Sequence, residues 1–213
     1  MCWFSLYYTI NTTILEKLKL MDYNNLFAFP LHLSSISNDN FQIITNSVNQ
    51  YIKDNPQNFK KAWNCSTIST FSIPKDQNIN CETLNSEIIN QTNLYYNKWD
   101  FDNLNLSLDT IWINISPPNS YQERHHHLSY NKKMLFSGVL YIDTLPNSGK
   151  LILHNPLNTQ LNFMPPTKKF GNTVEITPQN GLLVSFPSWL DHEVYSNTSS
   201  QNRISVSWNI KVN

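Results

Sequence analysis

The chain has 213 residues, a formal net charge of zero and only 14% charged residues, so nothing electrostatic points to nucleic acid or an anionic membrane. No apolar run reaches transmembrane length, and the length suits one domain with its own core. Cys2, Cys65 and Cys81 are odd in number, widely spaced and free of any CxxC, which supports neither a disulfide framework nor a zinc knuckle.

The segment from Met1 to Leu15 is apolar but lacks a basic n-region and a small-residue cleavage site, so a signal peptide is not expected. With Met21 as a second possible start, residues 1–20 read as a possible extension and residues 21–213 as a single domain. The default location is the cytoplasm. A short apolar stretch with Pro30, Leu26 to Leu33, suggests an edge strand. Asn38 or Asp39 is placed to N-cap a helix through about Tyr51, with Phe41, Ile44, Val48 and Tyr51 on one stripe. A second helix is expected over Glu82 to Tyr96, where Leu84, Ile88, Ile89 and Leu94 recur at helical spacing.

From Asp109 the character changes. Thr110–Ile115, Met134–Ile142, Lys150–His154, Thr173–Ile176, Leu182–Phe186 and Arg203–Val212 are short segments of β-branched and aromatic residues between Pro, Asn and Gly turns. That spacing predicts a β-sandwich or barrel behind leading helices, a single α+β domain with its β-core over about 109–213. Trp112, Asn114 and Ser116 alternate with Ile111, Ile113 and Ile115, giving a strand with two distinct faces. The chain has only four glycines, Gly138, Gly149, Gly171 and Gly181, and each is expected at a turn or a close backbone approach.

Chemistry concentrates in this second half. Positive charge is carried by 13 lysines and only two arginines, Arg124 and Arg203. A retained arginine suggests a need for the guanidinium fork, which grips a carboxylate with two parallel hydrogen bonds as lysine cannot. Arg124 abuts His125-His126-His127. On an extended segment His125 and His127 project from one side and reach one metal ion, while His126 points away. About 65 residues later comes His192, and 11 beyond it Arg203-Ile204-Ser205. Taken singly, the triplet reads as a surface run, His192 as a core or loop histidine, and Arg203 as a salt-bridge partner. Together they read as two close ligands, one distant ligand and a clamp for a dicarboxylate. Open positions on the metal match the facial arrangement of non-haem Fe(II) sites, with His127 where a carboxylate is usual. Ser205, on the strand face of Arg203, adds a hydroxyl donor.

In these stretches the sequence resembles the Fe(II)/2-oxoglutarate-dependent oxygenase superfamily, and within it the 2OG-Fe(II) oxygenase branch seen in marine bacteria and phages. The matching residues are Trp112-Ile113-Asn114, Tyr121 through His127, Ser137-Gly138-Val139-Leu140-Tyr141, Ser148-Gly149-Lys150-Leu151, Gly181 through Val194, and Arg203 through Asn209. Earlier residues resemble the family only loosely, through Leu26–Pro30 and Trp63.

The resemblance implies a double-stranded β-helix, the jelly-roll or cupin-like core, with N-terminal helices packed on one side. It implies Fe(II) on His125, His127 and His192, O2, and 2-oxoglutarate clamped by Arg203 and Ser205. Tyr141 lies where related hydroxylases set a tyrosine hydroxyl against the same carboxylate, and Asn114 is a candidate for the pocket wall. The implied reaction couples 2-oxoglutarate decarboxylation to C–H oxidation, most simply a hydroxylation. Asp191, beside His192 but facing away on a strand, is a candidate to orient a ligand; Asp143 is a weaker acidic candidate.

Two other readings stay open: a cupin-like protein that binds metal or a small molecule without oxidising anything, and an accessory protein whose barrel only mediates contacts. The substrate, small molecule or protein, is not legible, and neither is the oligomeric state, a homodimer included. The loop Leu157–Gly171, with Phe163, Pro165, Pro166, Lys168 and Lys169, is the expected lip of the pocket.

Overall fold

A computed structural model describes residues 29–61, 66–99, 101, 103–128, 133–161, 163 and 171–213. The expectations for residues 1–20, Leu26 to Ala28, Trp63, Cys2, Cys65 and most of the loop before Gly171 lie outside the described residues.

In chain order the elements are β1 (His32–Ser35), α1 (Asn38–Asp54), β2 (Lys60–Lys61), β3 (Ile68–Ser69), α2 (Glu82–Tyr96), β4 (Leu106–Ser116), β5 (Gln122–His125), β6 (Met134–Asp143), β7 (Leu151–His154), α3 (Asn158–Leu161), β8 (Thr173–Ile176), β9 (Leu182–Pro187), β10 (His192–Val194) and β11 (Arg203–Val212). They form a seven-stranded sheet, β1-β9-β6-β11-β4-β3-β2, and a four-stranded sheet, β5-β10-β7-β8, with every pairing antiparallel. This is the expected double-stranded β-helix with helices on one side. β1 is an edge strand that starts only after Pro30.

The large sheet sorts its side chains by parity, because successive residues of a strand point to opposite faces. Ile113 of β4, Phe136, Leu140 and Ile142 of β6, and Val206, Trp208 and Ile210 of β11 share one apolar core with Ile44 and Val48 of α1 and Leu84, Ile88 and Tyr95 of α2. The opposite parity carries Trp112, Asn114 and Ser116, then Val139 and Tyr141, then Arg203, Ser205 and Ser207, and it lines the pocket between the sheets. A second apolar cluster of Tyr141, Leu151, Leu153, Ile176, Val184 and Phe186 closes that inter-sheet space. Gly138 is a close approach: a Cβ there would lie 2.3 Å from the Trp208 ring, its cross-strand neighbour. Gly149 and Gly181 hold positive φ at turns, whereas Gly171 has neither a positive φ nor a tight neighbour.

Two helix details differ from the sequence reading. The N-cap of α1 is Ser37, not Asn38 or Asp39: Ser37 keeps an extended backbone and its hydroxyl accepts from the Asn40 amide at 3.3 Å, while Asn38 is already helical. On α2 the buried stripe is Leu84, Ile88, Thr92 and Tyr95, and Leu94 is exposed. Three turns carry Leu84 onto Tyr95, whereas Leu94 falls about a quarter turn away. Among the described residues no helix is long and apolar enough to cross a membrane.

Candidate metal and cosubstrate site

β5, an edge strand of the small sheet, ends at His125, and β10 begins at His192; the two residues are cross-strand partners. His127 lies just past β5, tied by its backbone N–H to the Ser188 carbonyl at 2.8 Å. His125 and His127 therefore face one side, with their Nε2 atoms 3.3 Å apart, and His126 is exposed on the other. The His125–His192 and His127–His192 ring centroids are 4.3 and 4.9 Å apart. Among the described residues these three imidazoles are the one group of His, Cys, Asp or Glu side chains gathered closely enough to hold a metal ion.

Their hydrogen bonds fix which nitrogen faces inward. His125 Nδ1–H donates to the Glu123 carbonyl at 2.8 Å, and His192 Nδ1–H to the Leu190 carbonyl at 2.8 Å. His127 Nδ1–H donates to Asn209 Oδ1 at 2.5 Å. Each Nε2 then presents its lone pair to the pocket, that of His125 lying 3.3 Å from the Gln122 amide. Burial keeps all three rings neutral: it lowers the pKa of His125, pushes that of His127 down to about 4 against the opposing bond from Asn209, and lowers that of His192 well below the usual value. Three lone pairs converging in a buried place repel one another unless a cation lies among them. That donor set fits a divalent metal.

The same pocket is walled by Trp112 and Phe186, whose rings stand 5.8 Å from His127 and 4.7 Å from His192. It is narrow, about 40 Å³, where a single water needs roughly 10–15 Å³. Away from the histidines lie Arg203, Ser205, Tyr141, Asn114 and Ser116. Arg203 is buried at the start of β11, opposite Ser116 of β4. Its Nη1 donates to the Ser148 and Gly149 carbonyls at 2.9 and 3.0 Å and its Nη2 to Ser116 Oγ at 3.1 Å. Ser205 sits between Asn114 and Tyr141 in register. Burial raises the Tyr141 pKa to about 12, against a lowering by Arg203, so its hydroxyl stays a hydrogen-bond donor. Asn114 Nδ2 donates to Ser207 Oγ at 3.2 Å.

Residues 110–209 match the family model described as "Putative 2OG-Fe(II) oxygenase". Over this segment the chain is similar to the 2OG-Fe(II) oxygenases. It is an enzyme, and its cofactors are Fe(II), 2-oxoglutarate as cosubstrate, and O2. The fold of this oxygenase is similar to that of a Pseudomonas putida prolyl-4-hydroxylase, at 17% identity, 86% of this chain, 92% of that one and a TM-score of 0.60. It is also similar to the viral collagen prolyl hydroxylase vCPH of Paramecium Bursaria Chlorella virus-1, solved as its 2OG complex, at 14% identity, 85% and 95% coverage and a TM-score of 0.54. A third is HygX from Streptomyces hygroscopicus, solved with nickel, 2-oxoglutarate and hygromycin B, at 8% identity, 86% and 83% coverage and a TM-score of 0.56. No curated protein matches the chain in sequence.

The acidic candidates do not join the site of this oxygenase. Asp191 turns outward, where its Oδ2 accepts from Arg124 Nε and Nη2 at 3.0 and 2.7 Å, and a backbone carbonyl rather than Asp191 orients His192. Arg124 is spent on that exposed pair. Asp143 is exposed at the end of β6. Of the expected lip, α3 and an exposed Phe163 are described. The residues overlooked are Gln122, whose amide lies 3.3 Å from His125 Nε2, and Asn209 with Ser137. Asn209 was legible in principle: stepping by two from Arg203 passes Ser205 and Ser207 and arrives there.

Proposed function

We propose that this oxygenase hydroxylates a C–H bond of its substrate, with His125, His127 and His192 as the iron ligands and Arg203 and Ser205 as the clamp for the far carboxylate of 2-oxoglutarate. The observation that carries this reading is the set of three Nδ1-protonated, neutral imidazoles whose Nε2 lone pairs share one buried point in the pocket that also holds Arg203.

When bound, the iron supplies O2 activation coupled to loss of CO2 from 2-oxoglutarate, and so the oxidation of the C–H bond. The protein's own work is binding, orientation and exclusion of water. Arg203, braced by the Ser148 and Gly149 carbonyls, offers a fixed positive charge to a carboxylate. Ser205 and the protonated Tyr141 add hydroxyl donors at the neighbouring positions of β11 and β6. Asn114 completes that wall, and Trp112 and Phe186 keep the metal end dry. We assign residues 21–213 to one catalytic unit and place the enzyme in the cytoplasm, where a buried free thiol such as Cys81 stays reduced.

The test is the weak visible charge-transfer band of an Fe(II)–2-oxoglutarate chelate, recorded without oxygen. Wild type should show it, Arg203→Ala should weaken it, and His192→Ala should abolish it. A wild-type protein that binds Fe(II) yet gives no band on adding 2-oxoglutarate would sink this assignment and leave a metal-binding jelly-roll.

A further inference from the structure

The three ligand histidines are held in two different ways. His125 and His192 each give their Nδ1 proton to the carbonyl two residues before them, so their own strands aim them. His127 lies past the end of β5 and does not use a neighbouring carbonyl. The nearer of its two Nδ1 partners is Asn209, 82 residues away on β11 of the other sheet, and the other is Ser137 Oγ at 3.0 Å, a hydroxyl that itself leans on Asn209. Asn209 is only 5% exposed. Its Oδ1 also accepts from Ser137 Oγ at 2.8 Å, and its Nδ2 donates to Thr110 Oγ1 at 3.2 Å, which fixes the amide orientation. Ser137 Oγ meets Ser188 Oγ at 2.8 Å, and the Ser188 carbonyl takes the His127 backbone N–H. One buried polar cluster thus grips both the backbone and the ring of His127.

We propose that Asn209 is the positioning residue of the metal centre: by accepting the His127 Nδ1 proton it holds the Nε2 lone pair of that ring on the metal. This deepens the reading of the three histidines as metal ligands and rests on it. The neutrality of the amide matters as much as its direction. A carboxylate in this place would make His127 a more basic ligand but add a negative charge beside the metal. With three neutral imidazoles and a neutral amide, the full charge of the dication is left to be met by a dianionic cosubstrate.

The experiment measures Co(II) and 2-oxoglutarate affinities of the full chain by titration. Asn209→Leu keeps the volume and removes the acceptor, and should weaken Co(II) roughly 10–100-fold. Asn209→Asp restores an acceptor and should bind Co(II) at least as tightly as wild type while weakening 2-oxoglutarate several-fold. A packing role predicts neither the rescue nor the opposite signs. Wild-type Co(II) affinity in Asn209→Leu, or equal weakening in both variants, overturns the proposal, and unchanged 2-oxoglutarate affinity in Asn209→Asp overturns its charge argument. Should Asn209→Leu fail to fold, long-range 1H–15N spectra of the metal-free wild type decide the matter. His127 as the Nδ1–H tautomer supports the proposal, and the Nε2–H tautomer overturns it. A wild type that binds no Co(II) refutes the metal reading itself, and the tautomer still reports on Asn209 separately.

Discussion

His125 and His192 are direct cross-strand partners in the β5–β10 pair, and each donates its Nδ1 proton to the carbonyl two residues before it. Strand pairing together with these two local hydrogen bonds therefore turns both Nε2 atoms towards the proposed metal position. A ligand that binds only the folded state adds stability by mass action, about 2.7 kcal/mol at a hundred times its dissociation constant. Mn(II), as a redox-quiet probe, should raise the melting temperature of wild type and leave that of His192→Ala unmoved. Equal shifts in both proteins would mean that the ion binds elsewhere.

Arg203→Lys is expected to behave like Arg203→Ala rather than like wild type. An ammonium cannot hold the Ser148 and Gly149 carbonyls and Ser116 Oγ from one rigid plane while facing a carboxylate. Isothermal titration should show 2-oxoglutarate affinity falling in both variants with Mn(II) affinity kept. Urea unfolding should show a loss on the order of 1–3 kcal/mol from the carbonyls left without donors.

Acid should destabilise the metal-free protein over a defined window. Burial holds the folded-state pKa of His127 at about 4 and lowers those of His125 and His192. Above pH ~6.5 these rings are neutral in both folded and unfolded chains, so they add no pH dependence. As pH falls from there towards 4, the unfolded chain takes up protons that the folded one refuses, and stability drops. His127 alone accounts for about 3 kcal/mol of this. Urea midpoints between pH 7 and 4 measure the effect, and a flat profile would contradict neutral, buried imidazoles. Bound metal should be released in the same range as protons compete for Nε2.

Gly138→Ala should destabilise the fold without touching any charged group. The new Cβ would meet the Trp208 ring at 2.3 Å and the Val184 carbonyl at 2.8 Å, neither of which has room to retreat within the sheet. A loss of about 1–3 kcal/mol in urea unfolding is expected.

Arg124→Ala should be nearly silent. Its pair with Asp191 is about half exposed on the arginine side, and such pairs contribute roughly 0–1 kcal/mol. Mn(II) affinity should stay at the wild-type value. A tenfold loss would show instead that this ion pair helps to aim the flanking histidines.

Legibility of the fold followed the period of the apolar residues. The β4, β6, β9 and β11 segments and both long helices were readable, since each repeats its pattern over enough residues to be distinct. The strands that carry His125 and His192, β5 and β10, were not. They span four and three residues, and Gln122-Glu123-Arg124-His125 has no apolar alternation to signal a strand. Leu94 and the cap of α1 went astray for a related reason, because local composition leaves a helix's rotation and start free by a residue until tertiary contacts fix them.

What the sequence by itself determined is the inventory and its order: His125, His127, His192, Arg203 and Ser205, with a period-two polar face that puts Arg203, Ser205 and Asn209 on one side of one strand. Only the tertiary structure decided how these groups are used. Strand pairing brought His125 and His192, 67 residues apart, into register, and the facing of the two sheets brought Asn209 to His127. It also turned Asp191 outward to Arg124 and left a backbone carbonyl to aim His192. Side-chain alternation is a local property that the sequence carries. A hydrogen bond between two sheets depends on how they pack, and no local pattern encodes that.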